Sequence, residues 1–157
     1  MNSVEKSLGF LGAKAKLLRD AFAKHQVEYM FIGKMAAIAV GYIGTTQDLD
    51  IYPDKAEANR LRILAALKEI GFQMELELKG RVISLEKQIL AAVDFVQLLH
   101  PFNLDIIFAP DGFEDYAEAS KHKIVVNEYP LMSVEGILIS KRSAQADVDQ
   151  GQQPENG

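Results

Sequence analysis

Phe31-Ile32-Gly33-Lys34 and, beyond a short apolar segment and a loop, Thr46-Gln47-Asp48-Leu49-Asp50-Ile51 form the stretch on which the fold turns. Glu28 to Ile32 is aromatic and β-favouring, a short buried strand that Gly33 ends. Lys34 to Val40 is rich in Ala and Met, which predicts a short helix. Gly41, Gly44, Thr45 and Thr46 mark a loop. Asp48 to Tyr52 then alternates polar and apolar, the period of a strand with one face turned from the core, and Pro53 stops it. Residues i and i+2 of a strand share a face, so Asp48 and Asp50 stand side by side while Leu49 and Ile51 enter the core.

Outward from this stretch the pattern alternates between helix and strand. Val4, Leu8, Leu11, Ala15, Leu18 and Phe22 recur at helical spacing and predict one helix from about Ser3 to Lys24. Asp54 and Glu57 resemble a capping box opening a helix striped by Leu61, Leu64 and Leu67, with Gly71 at its C′ position. Phe72 to Leu78 alternates as a half-exposed strand. Arg81 to Ala92 is ambiguous, and a short helix after Ser84 fits it best. Phe95 to Leu99 and Leu104 to Phe108 read as buried strands joined by a turn at His100 to Asn103. Phe113 to Lys121 reads as helix and Lys123 to Val126 as strand, and Ser133 can cap a last helix reaching Lys141. The apolar period stops at Ser143, so the expectation is a single domain over 1–142 and a loose, disordered tail over 143–157. Helices and strands intermix, which places the chain in the α/β or α+β class around a central sheet.

Composition excludes several classes. The chain has 157 residues, one domain's worth, with 48% apolar and 25% charged residues, which rules out wholesale disorder. The longest apolar run, Met35 to Val40, is far short of the ~20 residues of a membrane span. Met1 to Phe10 carries Glu5 and Lys6 without an apolar core, so no secretory signal is visible. Cysteine is absent, which removes disulfides and thiolate metal sites, and a cytoplasmic location is the default expectation. A net charge of −5 argues against nucleic acid as the main partner.

The chemistry sits in the carboxylates. Two like charges as close as Asp48 and Asp50 repel, and a divalent cation between them resolves the conflict; hard oxygen ligands favour Mg²⁺, Mn²⁺ or Ca²⁺. An Asp-x-Asp pair by itself most often decorates the solvated face of an edge strand. Here Asp, a residue depleted in strands, occurs twice in one strand beside apolar neighbours. Asp105 is the third candidate, lying in Asn103-Leu-Asp-Ile-Ile-Phe108, where an unpaired charge is costly. Should its strand pair beside that of Asp48 and Asp50, three carboxylates converge as in two-metal sites. His25, His100 and His122 are too scattered for a local metal motif. No P-loop, nucleophile elbow or calcium loop is present.

Ile32-Gly33, a thirteen-residue gap after Lys34, Asp48-Leu49-Asp50-Ile51 and Leu104-Asp105-Ile106 together resemble the nucleotidyltransferase (DNA polymerase β-like) superfamily. The resemblance runs from about Glu28 to Lys141 and is greatest to small bacterial members related to antibiotic and toxin–antitoxin nucleotidyltransferases. It includes Pro130-Leu-Met-Ser133 followed by Val134 to Lys141, similar to the family's strand and closing helix. It implies a twisted mixed sheet flanked by helices. It also implies that Asp48, Asp50 and Asp105 are the catalytic, metal-binding residues for Mg²⁺ (or Mn²⁺), with Asp105 helping to deprotonate the acceptor hydroxyl. Gly33, Lys34 and Thr46 would bind the nucleotide, ATP or another nucleoside triphosphate. The implied reaction moves a nucleoside monophosphate to a hydroxyl of a small molecule or partner protein and releases pyrophosphate. Many relatives hold the acceptor with a long C-terminal helical domain; here a homodimer or a partner protein would supply that wall. Of three departures from the family pattern, Lys34 and a missing arginine favour an alternative, a weak or inactive binding or antitoxin-like module. Lys34 stands where the family has Gly or Ser, no arginine precedes Asp48 closely, and the segment after Lys141 lacks the family's small-residue-plus-arginine element.

Overall fold

In the computed structural model, which describes residues 1–91 and 94–152, the chain starts with α1 (Ser3–Ser7) and α2 (Gly12–Lys24). Next come β1 (Tyr29–Ile32), α3 (Gly33–Ala39), β2 (Leu49–Pro53) and α4 (Glu57–Ile70). A hairpin of β3 (Glu75–Leu78) and β4 (Arg81–Ser84) leads to α5 (Leu85–Leu90), β5 (Phe95–Leu98) and β6 (Leu104–Ile107). The chain ends with α6 (Tyr116–Ser120), β7 (Lys123–Val126), β8 (Tyr129–Met132) and α7 (Val134–Gln152). Six strands form one mixed sheet in the order β5-β6-β2-β1-β8-β7, and the hairpin stands apart as a two-stranded sheet. The expected class, a mixed sheet flanked by helices, is borne out.

β1 is Tyr-Met-Phe-Ile and is buried along its whole length, which is why its sequence is continuously apolar instead of alternating. Its two faces feed two cores. Tyr29 and Phe31 join Leu49, Ile51, Leu104 and Ile106 beneath α2 and α4. Met30 and Ile32 join Tyr52 and Met132 beneath α6 and α7. In the first core, Phe22, Tyr29, Phe31 and Tyr129 stack edge-on or tilted, with successive centroids 4.8, 5.3 and 5.8 Å apart. Each such pair adds about 0.5–1.5 kcal/mol to the area it buries.

The structure departs from the sequence expectations at several points. The first helix is interrupted after Leu8, where Gly9 takes φ +62° and a 3₁₀ turn restarts the chain into α2. No capping box opens α4: Asp54 accepts instead from the Ala56 N–H at 3.0 Å, and the helix begins at Glu57. Leu61 faces solvent, leaving Ile63, Leu64, Ala66 and Leu67 as the buried face. Phe72 is not in a strand but packs into the core, and β3 is exposed on both faces, not one. β4 had no clear reading, whereas α5 does follow Ser84, whose hydroxyl accepts from the Lys87 N–H at 3.4 Å. The helix expected from Phe113 starts at Tyr116, capped by Asp115 through the Glu118 N–H at 2.8 Å. α7 runs past 142 to Gln152 as an exposed helix, and 153–157 lie outside the described residues.

Candidate functional site

β2 pairs antiparallel with β1 and parallel with β6, and the registers set Ile32 opposite Asp50 and Asp50 opposite Asp105. In-register neighbours share a face, so Asp50 and Asp105 project together from the side carrying Ile32, Tyr52 and Ile107. Leu49 pairs with Leu104 and Ile51 with Ile106 on the opposite face, and these apolar pairs lock the register because a one-residue slip would bury both carboxylates. Asp48 lies one residue before β2, where the Leu49 N–H donates to the Asn103 carbonyl at 3.1 Å. The Thr46 hydroxyl donates to the Asp48 carbonyl at 3.1 Å and accepts from the Asp48 N–H at 3.4 Å. Thr46 thus fixes the backbone that presents Asp48.

Burial, then a hydrogen bond to Asp105 and the charges of Asp105 and Asp48, push the Asp50 carboxyl up to about 7. Burial and the Asp48 charge also push Asp105 up, with the neighbouring Asp50 carboxyl and Gln97 amide acting against them. One proton shared by the pair is what two adjacent, partly desolvated carboxylates require when no cation lies between them. Asp105 Oδ1 is buried without a hydrogen-bond partner, as is Tyr29 Oη in the aromatic core. Among the described residues, no three His, Cys, Asp or Glu side chains close into a metal cage. A pair suffices for Mg²⁺, which keeps several waters and binds through one or two carboxylates plus substrate phosphates. The unpartnered Oδ1 and the mutual repulsion of the pair fit such an ion.

Gly33 is shaped to this pair. Its φ is +70°, and a Cβ there would collide with Asp50 Oδ2 and lie 3.2 Å from its Cγ. The residue therefore serves the carboxylate as well as the turn into α3. Lys34 is exposed and, among the described residues, makes no ion pair. With Lys141 of α7 it lines a cavity of about 570 Å³ that also includes Ile32, Gly33, Tyr42 and Ile43. Sequence reasoning did not single out Gln97, which stands opposite Asp105 in β5, nor Lys141 as a site residue. The signal for Gln97 was a lone amide inside Phe-Val-Gln-Leu. His25 pairs with Glu69 at 3.2 Å, and neither lines the cavity of Lys34 and Lys141.

The structure is similar to the crystal structure of a Thermotoga maritima protein provisionally described as a nucleotidyltransferase, with a TM-score of 0.55 and 16% identity. The match covers 89% of this chain and 84% of that one, and at this identity it establishes a shared fold. Neither a protein-family model nor a curated protein matches the chain. Among the described residues, no helix is long and apolar enough to cross a membrane.

Proposed function

We propose that the chain is a metal-dependent nucleotidyltransferase that moves a nucleoside monophosphate from a nucleoside triphosphate to a hydroxyl of a small molecule or partner protein. The observation that carries this reading is the in-register pair Asp50–Asp105, with Oδ1 of Asp105 buried and unpartnered. Asp50 and Asp105 would hold Mg²⁺ or Mn²⁺, with Asp48 beside them. When bound, such an ion neutralises triphosphate charge and favours in-line displacement. Lys34, free at the cavity rim, supplies a point charge for a phosphate. Gly33 keeps the Asp50 carboxylate in place by lacking a Cβ. The acceptor oxygen forms a bond to the α-phosphorus as the bond to the bridging oxygen breaks. Pyrophosphate leaves with that electron pair, and the hydroxyl proton passes to the Asp105 carboxylate.

The test is transfer of label from α-labelled nucleoside triphosphates with Mg²⁺ to a panel of hydroxyl acceptors. Loss of transfer in Asp50→Asn and Asp105→Asn supports the reading. Lys34, at a position where the resemblance calls for Gly or Ser, favours the second reading of a binding module without turnover. Calorimetric nucleotide binding with no transfer to any acceptor would select that one.

A further inference from the structure

The six-stranded sheet ends at β5 on one side and β7 on the other, and the two edges are built differently. On β7 the Ser133 N–H donates to the His122 carbonyl, which turns the main-chain groups of Lys123 and Val125 outward. Lys123, ion-paired with Glu28, stands on that edge, and an edge lysine discourages further strand pairing. On β5 the Phe108 N–H donates to the Asp94 carbonyl at 2.8 Å. Asp94, Val96 and Leu98 therefore bond toward β6, and Phe95, Gln97 and Leu99 turn their main-chain groups outward. Among the described residues, no main-chain bond reaches those outward groups. Between Asp94 and His100 this edge carries no charge, and Phe95 and Leu99 are 52% and 55% exposed. The exposed Leu76 and Leu78 of the hairpin line one groove with Leu99 and enlarge the apolar surface beside the edge.

An open, uncharged edge is a template for another strand, and the segment Asp94-Phe-Val-Gln-Leu-Leu-His100 is complementary to its own reverse. Laid antiparallel about a twofold axis at Gln97, Asp94 falls opposite the partner's His100 and Phe95 opposite the partner's Leu99. Val96 then meets the partner's Leu98, and the two Gln97 residues meet each other. The outward main-chain groups at 95, 97 and 99 face one another in this pairing, as a hydrogen-bonded ladder requires. Each end closes on a carboxylate against an imidazole, whose N–H can donate to it. Sliding one copy by two residues breaks both Asp94–His100 contacts. In one direction it also sets Phe95 against Pro101, which has no N–H to give.

We propose that β5 is a homodimer interface, at which two copies of this chain pair antiparallel through residues 94–100 and join their sheets into one. The proposal stands apart from the transfer reading. It has a consequence for the site, because Gln97 is also opposite Asp105. The row Asp50, Asp105, Gln97 continues into the partner's Gln97, Asp105 and Asp50 on the same face. With neighbouring strands ~4.8 Å apart, the two Asp105 residues lie three steps, roughly 14 Å, from each other. The dimer thus presents two acidic pairs on one shared surface.

The chain has no cysteine, so cysteine substitutions in the full chain report the pairing without background. Directly opposed, hydrogen-bonded residues lie ~5.5 Å apart at Cα, within reach of a disulfide. On mild oxidation Gln97→Cys should give a disulfide-linked dimer, and an equimolar mixture of Phe95→Cys and Leu99→Cys a mixed one. Phe95→Cys alone, whose two copies lie ~13 Å apart along the strand, and Val125→Cys on the β7 edge should stay monomeric on denaturing gels. Sedimentation of the unsubstituted chain should show a reversible monomer–dimer equilibrium. Phe95→Lys and Asp94→Lys, both at exposed positions, should each raise its dissociation constant by about tenfold or more, and adding His100→Glu to Asp94→Lys should recover most of that loss. Unchanged circular dichroism melting shows that these variants fold, and the cysteine series tests the pairing independently of them. A chain that sediments as a monomer at every concentration would overturn the proposal. So would a dimer indifferent to Phe95→Lys, or cross-linking that is equal at all the cysteine positions or strongest at Val125→Cys.

Discussion

Gly33→Ala tests the joint between backbone and carboxylate. At φ +70°, alanine costs about 1–2 kcal/mol relative to the right-handed region. The new Cβ also collides with Asp50 Oδ2 and lies 3.2 Å from Asp50 Cγ and 3.4 Å from Asp50 Cβ, so the carboxylate must move. Overpacking of this kind costs about 1–3 kcal/mol. Alanine recovers about 0.4–1 kcal/mol by restricting the unfolded chain, which leaves a net loss of about 1–4 kcal/mol. At about 2–4 °C per kcal/mol for a chain of this size, the melting temperature should fall by roughly 2–16 °C. The measurement is urea unfolding in EDTA of the parent, Gly33→Ala, Asp50→Ala and the double variant. Removing the Asp50 carboxylate relieves the collision but not the φ strain, so the Gly33→Ala loss should shrink by about 1 kcal/mol or more in the Asp50→Ala background. A Gly33→Ala loss below about 0.5 kcal/mol, or equal losses in both backgrounds, would refute the reasoning.

Other outcomes follow from the same geometry. Burial and its neighbours push Asp50 from the ordinary 3.8 up to about 7, so in EDTA the stability this group contributes is full below pH 3.8 and is lost as pH rises through about 7. Asp50→Asn should flatten that loss by about 1–3 kcal/mol, discounted for partial exposure, and Mn²⁺ at pH 8 should raise the melting temperature of the parent but not of the variant. Parallel melting curves from pH 5 to 8 would refute this. Glu5 is held below its ordinary 4.5, because against its burial its carboxylate accepts from the Tyr129 hydroxyl at 2.8 Å and from the Asn2 N–H at 3.4 Å, with the Arg19 guanidinium 3.4 Å away. Its stabilisation is therefore present above pH 4.5 and lost as pH falls through the lowered value; Glu5→Gln should cost about 1–3 kcal/mol at pH 7, with the gap narrowing toward pH 3 in denaturant titrations. Arg60 donates to the Lys55, Ile89 and Ala91 carbonyls at 2.7, 2.7 and 2.8 Å and lies over the Phe108 ring. Arg60→Met should cost about 2–4 kcal/mol in urea unfolding, since it strands buried carbonyls that methionine cannot satisfy.

The strands of the site were legible because Asp-Leu-Asp-Ile and Leu-Asp-Ile carry their own alternation, which fixes the direction of each carboxylate relative to its apolar neighbours. What alternation could not give was the pairing of β2 with β6, a contact between segments far apart in the chain. It is settled by Leu49 against Leu104 and Ile51 against Ile106. Gly33 was visible as a strand end, but its need for a missing Cβ appears only once Asp50 is folded against it. The hairpin misled for a physical reason. Glu-Leu-Glu-Leu has the same period whether its leucines enter a core or line an open cavity, and Leu76 and Leu78 do the latter. Lys79 and Gly80, at φ +51° and +76°, form the two-residue turn with both angles positive that would have marked β4. α7 outlasted its apolar stripe because Ala, Gln, Arg and Lys favour an exposed helix without one; the Gln145 amide donates to Asp149 at 2.8 Å along that stretch.

The fold treats two acidic sites, one buried at Glu5 and one half-buried at Asp50 and Asp105, in opposite ways. Glu5, 3% exposed, is answered on every side: a hydroxyl, a capping box and the Arg19 guanidinium at 3.4 Å. The fold thus has the means to satisfy a buried carboxylate where it keeps one. At Asp50 and Asp105 it does the opposite, setting two carboxylates in register, adding the field of Asp48 and leaving Asp105 Oδ1 unpartnered. Among the described residues, no cation answers them: Arg19 is held by Glu5 and Asp20, Lys123 by Glu28 and Arg60 by backbone carbonyls, and Lys34, next to Gly33, makes no ion pair with either aspartate. A pair packed for stability alone would be relieved by a single change to Asn at either position. On the reading proposed above, a small divalent ion would relieve this cost, and the free energy withheld from folding would return on its binding.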